Sequence, residues 1–187
     1  MDLQQLQSLS QSGKRLKYLF FWGHQAEADG SIGSGCLSQW WGARFNVDGT
    51  DFPSAEHFMM AEKARLFRDE EALEQILGAK SPGAAKRFGR HVRGFGDAAW
   101  EAARFDIVVR GNAAKFAQDQ ALTRYLLATG DRILVEASPK DRIWGIGLSK
   151  DDLRAQNPLQ WRGLNLLGFA LMKVREELRS KPAANET

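Results

Sequence analysis

The chain has 187 residues, 43% of them hydrophobic and 26% charged, a composition typical of one globular domain with a sizeable core. A formal net charge of +3 with both signs interspersed does not by itself indicate nucleic-acid binding, and a single cysteine excludes a disulfide framework or a cysteine zinc cluster. No run reaches the roughly 18 to 20 apolar residues of a membrane span, and the first 17 residues have no apolar targeting segment. We therefore expect a cytoplasmic protein without membrane contact.

Short strands are predicted in the first third of the chain. Residues 1–12 are Gln- and Ser-rich and are expected to fray or to form a short helix outside the core, and residues 18–22 are an aromatic run of strand type. A polar, Gly-rich loop follows over residues 25–35. Asp48-Gly49 then predicts a tight hairpin between two short apolar strands within residues 45–52.

The helix predicted over residues 54–67 is the central element, and Ser54 is its N-cap. Glu56 and Lys63 fall within its apolar stripe, seven residues apart, or roughly 10 Å along the axis. They cannot form an adjacent-turn ion pair, so we interpret them as acid-base and nucleophilic groups that face a pocket. The alternative is that Glu56 favours the helix dipole and Lys63 extends to solvent. His57, on the opposite, polar side, and Cys36 are assigned no function.

Helices dominate the rest of the chain. They are predicted over residues 69–77, 81–88, 98–118 with Asp97 as cap, 119–128 and 162–179, with one strand at 133–137 and a loop at 138–148. The predicted fold is a mostly helical α+β single domain with a small sheet and a hairpin. Residues 181–187 are a polar tail.

Seven ordered blocks of residues resemble the NADAR family, also called YbiA-like, over residues 18–178. These blocks are FFW, LSQWW, VDGTDFPSAEHFMMAEKARLF, SPGAAKRFGR, GNAAKF, LVEASPKDRIWGIGL and WRGLNLLGFALMKVR. The resemblance implies a domain over 18–180 after a variable segment, and an N-glycosidase that acts on ribosides of an exocyclic amine. Its two implied substrate types are phosphoribosylamino-pyrimidine intermediates of riboflavin synthesis and ADP-ribose on the guanine amino group. An ADP-ribosylated guanine in nucleic acid is therefore an expected partner.

The chemistry of such a bond assigns roles to three side chains. Cleavage builds positive charge on C1′ and O4′, which the carboxylate of Glu56 would stabilise while it activates water. Ring opening to an imine would let the amine of Lys63 attack and form a Schiff base. Asp141 either orients a ribose hydroxyl or caps its own loop.

Substrate contacts are predicted from aromatic, basic and glycine residues. Glycines beside Trp144 would allow the backbone to approach a ligand closely, and the Trp144 ring would then stack on a base. The alternative is that Trp144 is a core tryptophan. Phosphate would be held by basic side chains on helices, such as Arg104 and Lys115. The alternative is that these side chains lie on a solvated helix face. The full substrate-binding set is Phe21, Trp22, Arg90, Trp100, Arg104, Asn112, Lys115, Trp144, Gly145 and Gly147. No metal or nucleotide cofactor motif is present. A non-catalytic module that binds NAD or ADP-ribose in the same pocket is the alternative function.

Overall fold

A computed structural model describes residues 1–180, which form a mostly helical α+β domain and so confirm the predicted fold class. Residues 181–187, the predicted polar tail, lie outside the described residues. In chain order the elements are α1 (Leu3–Gln11), β1 (Tyr18–Phe21), β2 (Phe45–Val47), β3 (Thr50–Phe52), α2 (Ala55–Leu66), α3 (Glu70–Leu77), α4 (Pro82–Gly89), α5 (Asp97–Ala117), α6 (Gln120–Ala128), β4 (Ile133–Glu136) and α7 (Leu166–Ser180).

Helix α2 lies at the centre, against α3, α4 and α5. Ser54 caps it as predicted, because its hydroxyl accepts a hydrogen bond from the backbone N–H of His57. The predicted polar side is wrong for His57, which is buried together with Ala61 and Ala64. Packing against three other helices buries every residue of α2 from Ala55 to Ala61, so this part of its sequence carries little amphipathic signal, whereas Arg65 and Leu66 in the last turn are exposed. The His57 ring bonds Ser54 Oγ at 2.8 Å and the Ala79 carbonyl at 3.1 Å, which makes it a core histidine with both ring nitrogens engaged.

Two separate two-stranded sheets support the domain within residues 1–180. Strands β2 and β3 form the predicted antiparallel hairpin, and Asp48 and Gly49 take the positive φ values of 50° and 81° that such a tight turn requires. Strands β1 and β4 pair in parallel, from Tyr18 opposite Ile133 to Phe21 opposite Glu136. The helices α2 to α6 lie in the connection between them, so the carboxyl ends of β1 and β4 meet at one edge.

Three boundaries differ from the sequence predictions. The N-terminal segment does contribute to the core, because it forms α1, whose Leu6 is completely buried. A capping box formed by Asp2 and Gln5 begins this helix. The N-cap of α5 is Gly96, and Asp97 is its first residue. Helix α7 begins at Leu166, since the backbone of residues 162–165 pairs with the loop at 142–146. No helix within residues 1–180 combines the length and the hydropathy that a membrane crossing needs.

Candidate active site

A cavity of about 340 Å³ opens where β1 and β4 end. Its walls come from β1 and the loop after it, the segment before the hairpin, α4, and β4 with the following loop. The lining residues are Phe21, Trp22, Gly23, His24, Ser38, Trp40, Lys86, Glu136, Ser138 and Asp141. Aromatic rings and both signs of charge therefore surround one space.

Glu56, in the first turn of α2, is only 2% exposed and does not itself line the cavity, but the lining residues Lys86, Trp40 and Asp141 act on its carboxyl group. Its Oε1 has no hydrogen-bond partner in residues 1–180. Burial raises the pKa of this carboxyl to about 7, and Asp141 adds to the rise, while Lys86, the Trp40 side chain and Arg90 oppose it. A buried carboxyl with an unpaired oxygen is poised to exchange a proton near neutral pH.

Glu136, which the sequence analysis missed, is a second acid of the same site. It is the last residue of β4 and lines the cavity, and its Oε2 is shielded from water without a hydrogen-bond partner in the described chain. Burial raises the pKa of Glu136 to about 8, and the negative charges of Asp141 and Glu56 add to the rise while Lys86 opposes it. The available signal was a carboxylate directly after the apolar run Ile133-Leu134-Val135, a place where a buried strand rarely carries charge.

Lys86 and Asp141 provide fixed charges around the two acids. Lys86, on α4, was not predicted, and its Nζ lies 5.9 Å from the centre of the Trp40 ring. Asp141 Oδ1 accepts hydrogen bonds from the backbone N–H groups of Ile143 and Trp144, both at 2.8 Å. Asp141 therefore caps its loop and lines the cavity at once, so the two predicted roles are compatible.

Aromatic side chains form the mouth of the cavity. Trp22 is 65% exposed, whereas the neighbouring Phe21 is buried and belongs to the core. Trp40 lies deeper, and its ring centre is 5.6 Å from that of His24. An exposed indole at the rim of a polar cavity offers a flat apolar face to a ligand.

Lys63 lies in a different environment, outside the lining of this cavity. Its Nζ donates to the Gly89 carbonyl at 2.8 Å and lies 4.2 Å from the centre of the Phe95 ring and 5.6 Å from that of Trp100. Burial lowers the pKa of Lys63, and Asp97 opposes this change. The structure thus joins Lys63 to Trp100, and a lowered pKa favours the neutral amine that a nucleophile needs.

The remaining basic candidates fall in separate places. Arg90 follows Gly89 at the end of α4, is exposed, and acts on Glu56 through its charge. Arg104 Nη2 lies 3.4 Å from the carboxylate of Glu101 on the same helix. These two arginines are not part of the cavity lining.

Lys115 and Asn112 are core residues of α5. Lys115 is 1% exposed, and its Nζ donates to the carbonyls of Cys36 at 2.7 Å and Ser38 at 2.9 Å. Burial lowers the pKa of Lys115 to about 7. Asn112 Nδ2 donates to Gln39 Oε1 and to the Val108 carbonyl. Neither side chain lines the cavity; Lys115 instead fixes the backbone that leads to the cavity residues Ser38 and Trp40.

The loop that contains Trp144, residues 138–148, packs against the end of β4. Trp144 is partly buried against the core cluster and does not line the cavity. A Cβ on Gly145 would lie 2.8 Å from the Glu136 carbonyl, and Gly147 has a φ of 67°. These glycines let the loop pack on the end of β4, and so help to place Glu136.

Within residues 1–180, His, Cys, Asp and Glu side chains form no group of three or more that could hold a metal ion. The chemistry available at this site is that of two neighbouring carboxyl groups whose pKa values lie close to neutrality. Glycosidases use such a pair, with one acid protonated and one ionised, to cleave the bond at a sugar C1′. The fold and the site therefore define an α+β enzyme of the glycosidase type.

Comparison with known proteins agrees with this class. The sequence profile of the NADAR domain matches residues 20–179. N-glycosidase R617 of Acanthamoeba polyphaga mimivirus is 42% identical over 166 residues, which cover 86% of this chain and 96% of that protein. N-glycosidase YbiA of Escherichia coli (strain K12) is 35% identical over 132 residues, 71% of this chain and 74% of that protein. An NMR structure of E. coli YbiA superposes with a TM-score of 0.71 and 27% identity, covering 92% of this chain and 93% of that one.

A plant protein shares the domain as a smaller part of its length. The chloroplastic riboflavin biosynthesis protein PYRR of Zea mays is 36% identical over 149 residues, 75% of this chain and 22% of that protein. The chain belongs to the NADAR family, as the residue blocks predicted, and it is a hydrolase of N-glycosyl compounds.

Proposed function

We propose that the enzyme hydrolyses the bond between C1′ of a phosphorylated ribose and the exocyclic amine nitrogen of a base. The observation that carries this proposal is a pair of interacting acids, the buried Glu56 and the partly buried, cavity-lining Glu136, each with an oxygen that no residue within 1–180 satisfies. Such groups are costly to bury, and a substrate that bonds to them recovers that cost. The names of the relatives, N-glycosidase and riboflavin biosynthesis protein, support the bond type.

Glu136 is the proposed general acid. Because its pKa is about 8, most Glu136 side chains carry a proton at neutral pH. Transfer of this proton to the amine nitrogen lets the C1′–N bond break, and the bonding electron pair leaves with the base.

Glu56 is the proposed carboxylate on the sugar side. With a pKa of about 7, a substantial fraction is ionised at neutral pH, and its charge stabilises the positive C1′ and O4′. Water then adds to C1′ and passes its proton to Glu56. The products are the free amine base and the ribose phosphate, and the two acids have exchanged protonation states.

The rest of the cavity suits a base and an anion. Trp22 offers an exposed indole face at the mouth, on which a base can stack. Lys86 in the wall and Arg90 near Glu56 supply positive charge for a phosphate or pyrophosphate. A pyrimidine or guanine amine would then lie at the rim, with its C1′ towards the acids.

Two substrate types test the proposal: a phosphoribosylamino-pyrimidine and an oligonucleotide whose guanine amino group carries ADP-ribose. Purified protein is incubated with each, and the released base and sugar are measured by chromatography. We expect catalytic release from at least one substrate and loss of release in Glu136→Gln. Saturable binding of both substrates without any release would refute hydrolysis and support a non-catalytic binding module.

A further inference from the structure

A second, larger cleft lies at the opposite end of the β1–β4 pair from the catalytic cavity. It has a volume of about 850 Å³ and opens where the two strands begin, next to Lys17 and Arg132. The strands are paired there by a hydrogen bond from Ile133 N to the Lys17 carbonyl at 2.8 Å. Since each strand has four residues, the two openings are separated by roughly 15 Å of extended chain. The cleft is therefore distinct from the catalytic site.

Positive charge dominates this cleft. Three chain segments contribute its five basic side chains, which are Lys14, Arg15, Lys17, Arg132 and Arg175. Two acids, Asp131 and Glu176, also line it, and each lies 3.0 Å from Nη1 of Arg179, whose single positive charge offsets one of the two. Lys14, Arg15 and Lys17 form no ion pair within the described part of the chain. The cleft thus has an excess of cations over free acids.

Arg175 shows that this is more than a basic surface. This side chain of α7 is 2% exposed and lines the cleft. Its Nη1 donates to Thr129 Oγ1 at 2.8 Å and to the Arg132 carbonyl at 2.9 Å, whereas its Nε has no hydrogen-bond partner within residues 1–180. The nearest acid, Glu176, is 3.8 Å from Nε and is shared with Arg179. A buried guanidinium held in place but incompletely neutralised favours an anionic ligand.

We propose that this cleft is a second ligand site, which binds a ligand with at least two phosphate groups. Arg175 would bind one phosphate group through its planar guanidinium, and the exposed cations at 14–17 would bind the second phosphate group. One phosphate ion would leave most of the space empty, because clefts of roughly 300 to 1,000 Å³ hold ligands of nucleotide size. A free nucleoside diphosphate and a nucleic-acid strand present this same chemistry.

Calorimetric titration with inorganic pyrophosphate, ADP and a short single-stranded oligonucleotide tests the proposal. The cleft variant combines Lys14→Gln, Arg15→Gln and Lys17→Gln. Its matched control combines Lys80→Gln, Arg124→Gln and Lys150→Gln, which remove the same charge from exposed positions outside both cavities. We expect pyrophosphate to bind about tenfold or more weakly to the cleft variant only, with an affinity that falls as salt rises. Both variants should keep wild-type glycosidase activity.

A Lys86→Gln variant separates the two sites. Pyrophosphate binding that survives Lys86→Gln and is lost in the cleft variant supports the proposal. The proposal is overturned if wild type shows no saturable binding, if both triple variants lose affinity equally, or if only Lys86→Gln loses it. Tighter binding of ADP identifies a free nucleotide as the natural ligand class, and tighter binding of the oligonucleotide identifies a strand.

Discussion

Replacing Glu56 with glutamine should make the enzyme more stable and much less active. The wild-type side chain has a pKa of about 7 in the folded protein, against an ordinary value of 4.5. Between these values the native state keeps a proton that the unfolded chain releases, so raising the pH favours unfolding. Ionisation of the buried Glu56 therefore lowers the free energy of unfolding by roughly 3 kcal/mol.

Glu56→Gln removes that ionisation and keeps the size of the side chain. The variant should therefore gain up to about 3 kcal/mol relative to wild type at pH 8.5, and the difference should change little below pH 4.5. Glu136 adds to this gain, since loss of the neighbouring negative charge lowers its raised pKa and so reduces the cost of ionising it at pH 8.5. In the same variant the rate of base release should fall by on the order of 10² to 10³, because the carboxylate that stabilises the sugar cation is gone.

Urea unfolding at pH 5 and pH 8.5, with turnover measured at saturating substrate, gives both quantities. Glu62→Gln is the matched control, since Glu62 lies on the same helix but pairs with Arg110 at 2.9 Å, outside the cavity. It should lose a little stability and keep its activity. Full turnover by Glu56→Gln would remove Glu56 from catalysis. Equal stability of the variant and wild type at both pH values would show that the burial described here does not perturb Glu56.

Three further changes test the other assignments. The wild-type rate should fall above about pH 8 as the general acid Glu136 deprotonates, and the slow residual rate of Glu136→Gln should lack this alkaline limb; an unchanged limb would assign it to another group. If Lys63 forms a Schiff base, borohydride added during turnover should trap the sugar on Lys63. Lys63→Arg should then prevent both trapping and turnover. An active Lys63→Arg enzyme without adduct would leave the two acids as the whole mechanism. Lys115→Met should lower the free energy of unfolding by on the order of 1 to 3 kcal/mol, because two buried carbonyls lose their donor. KM should stay unchanged. A large rise in KM at normal stability would indicate that Lys115 contacts phosphate.

Local signals in the sequence were sufficient for most of the helices and for the hairpin. Ser54 caps α2 as predicted, and Asp69 and Ser81, at the starts of the helices predicted over 69–77 and 81–88, cap α3 and α4, because capping depends on a few neighbouring residues. The exposure of helix faces was harder to predict. Helix α2 is enclosed by α3, α4 and α5, so a polar residue such as His57 is buried when its own bonds are satisfied.

The site was only partly predictable because its residues meet through long-range pairing. Glu56 is a candidate from the sequence alone, because a carboxylate stands out in an apolar stripe. Glu136 and Lys86 lie in separate segments, and their proximity depends on the parallel pairing of β1 with β4 and on the packing of α4 against α2. Lys115 was misleading for the opposite reason: backbone carbonyls at 36 and 38 bind its amine in the core, and a helical pattern gives no sign of them.

The parallel pairing of β1 and β4 also bears on the order of events during folding. Tyr18 pairs with Ile133, 115 positions later, so this contact closes a very long loop and forms late unless other elements have already brought its ends together. During synthesis, α2 and its capped neighbours can assemble before β4 leaves the ribosome. Until β4 arrives, Glu56 lacks Glu136 as its neighbour and β1 lacks its partner strand. The proposed catalytic pair is thus completed only after most of the chain has been made, and catalytic activity should be the last property that refolding protein regains.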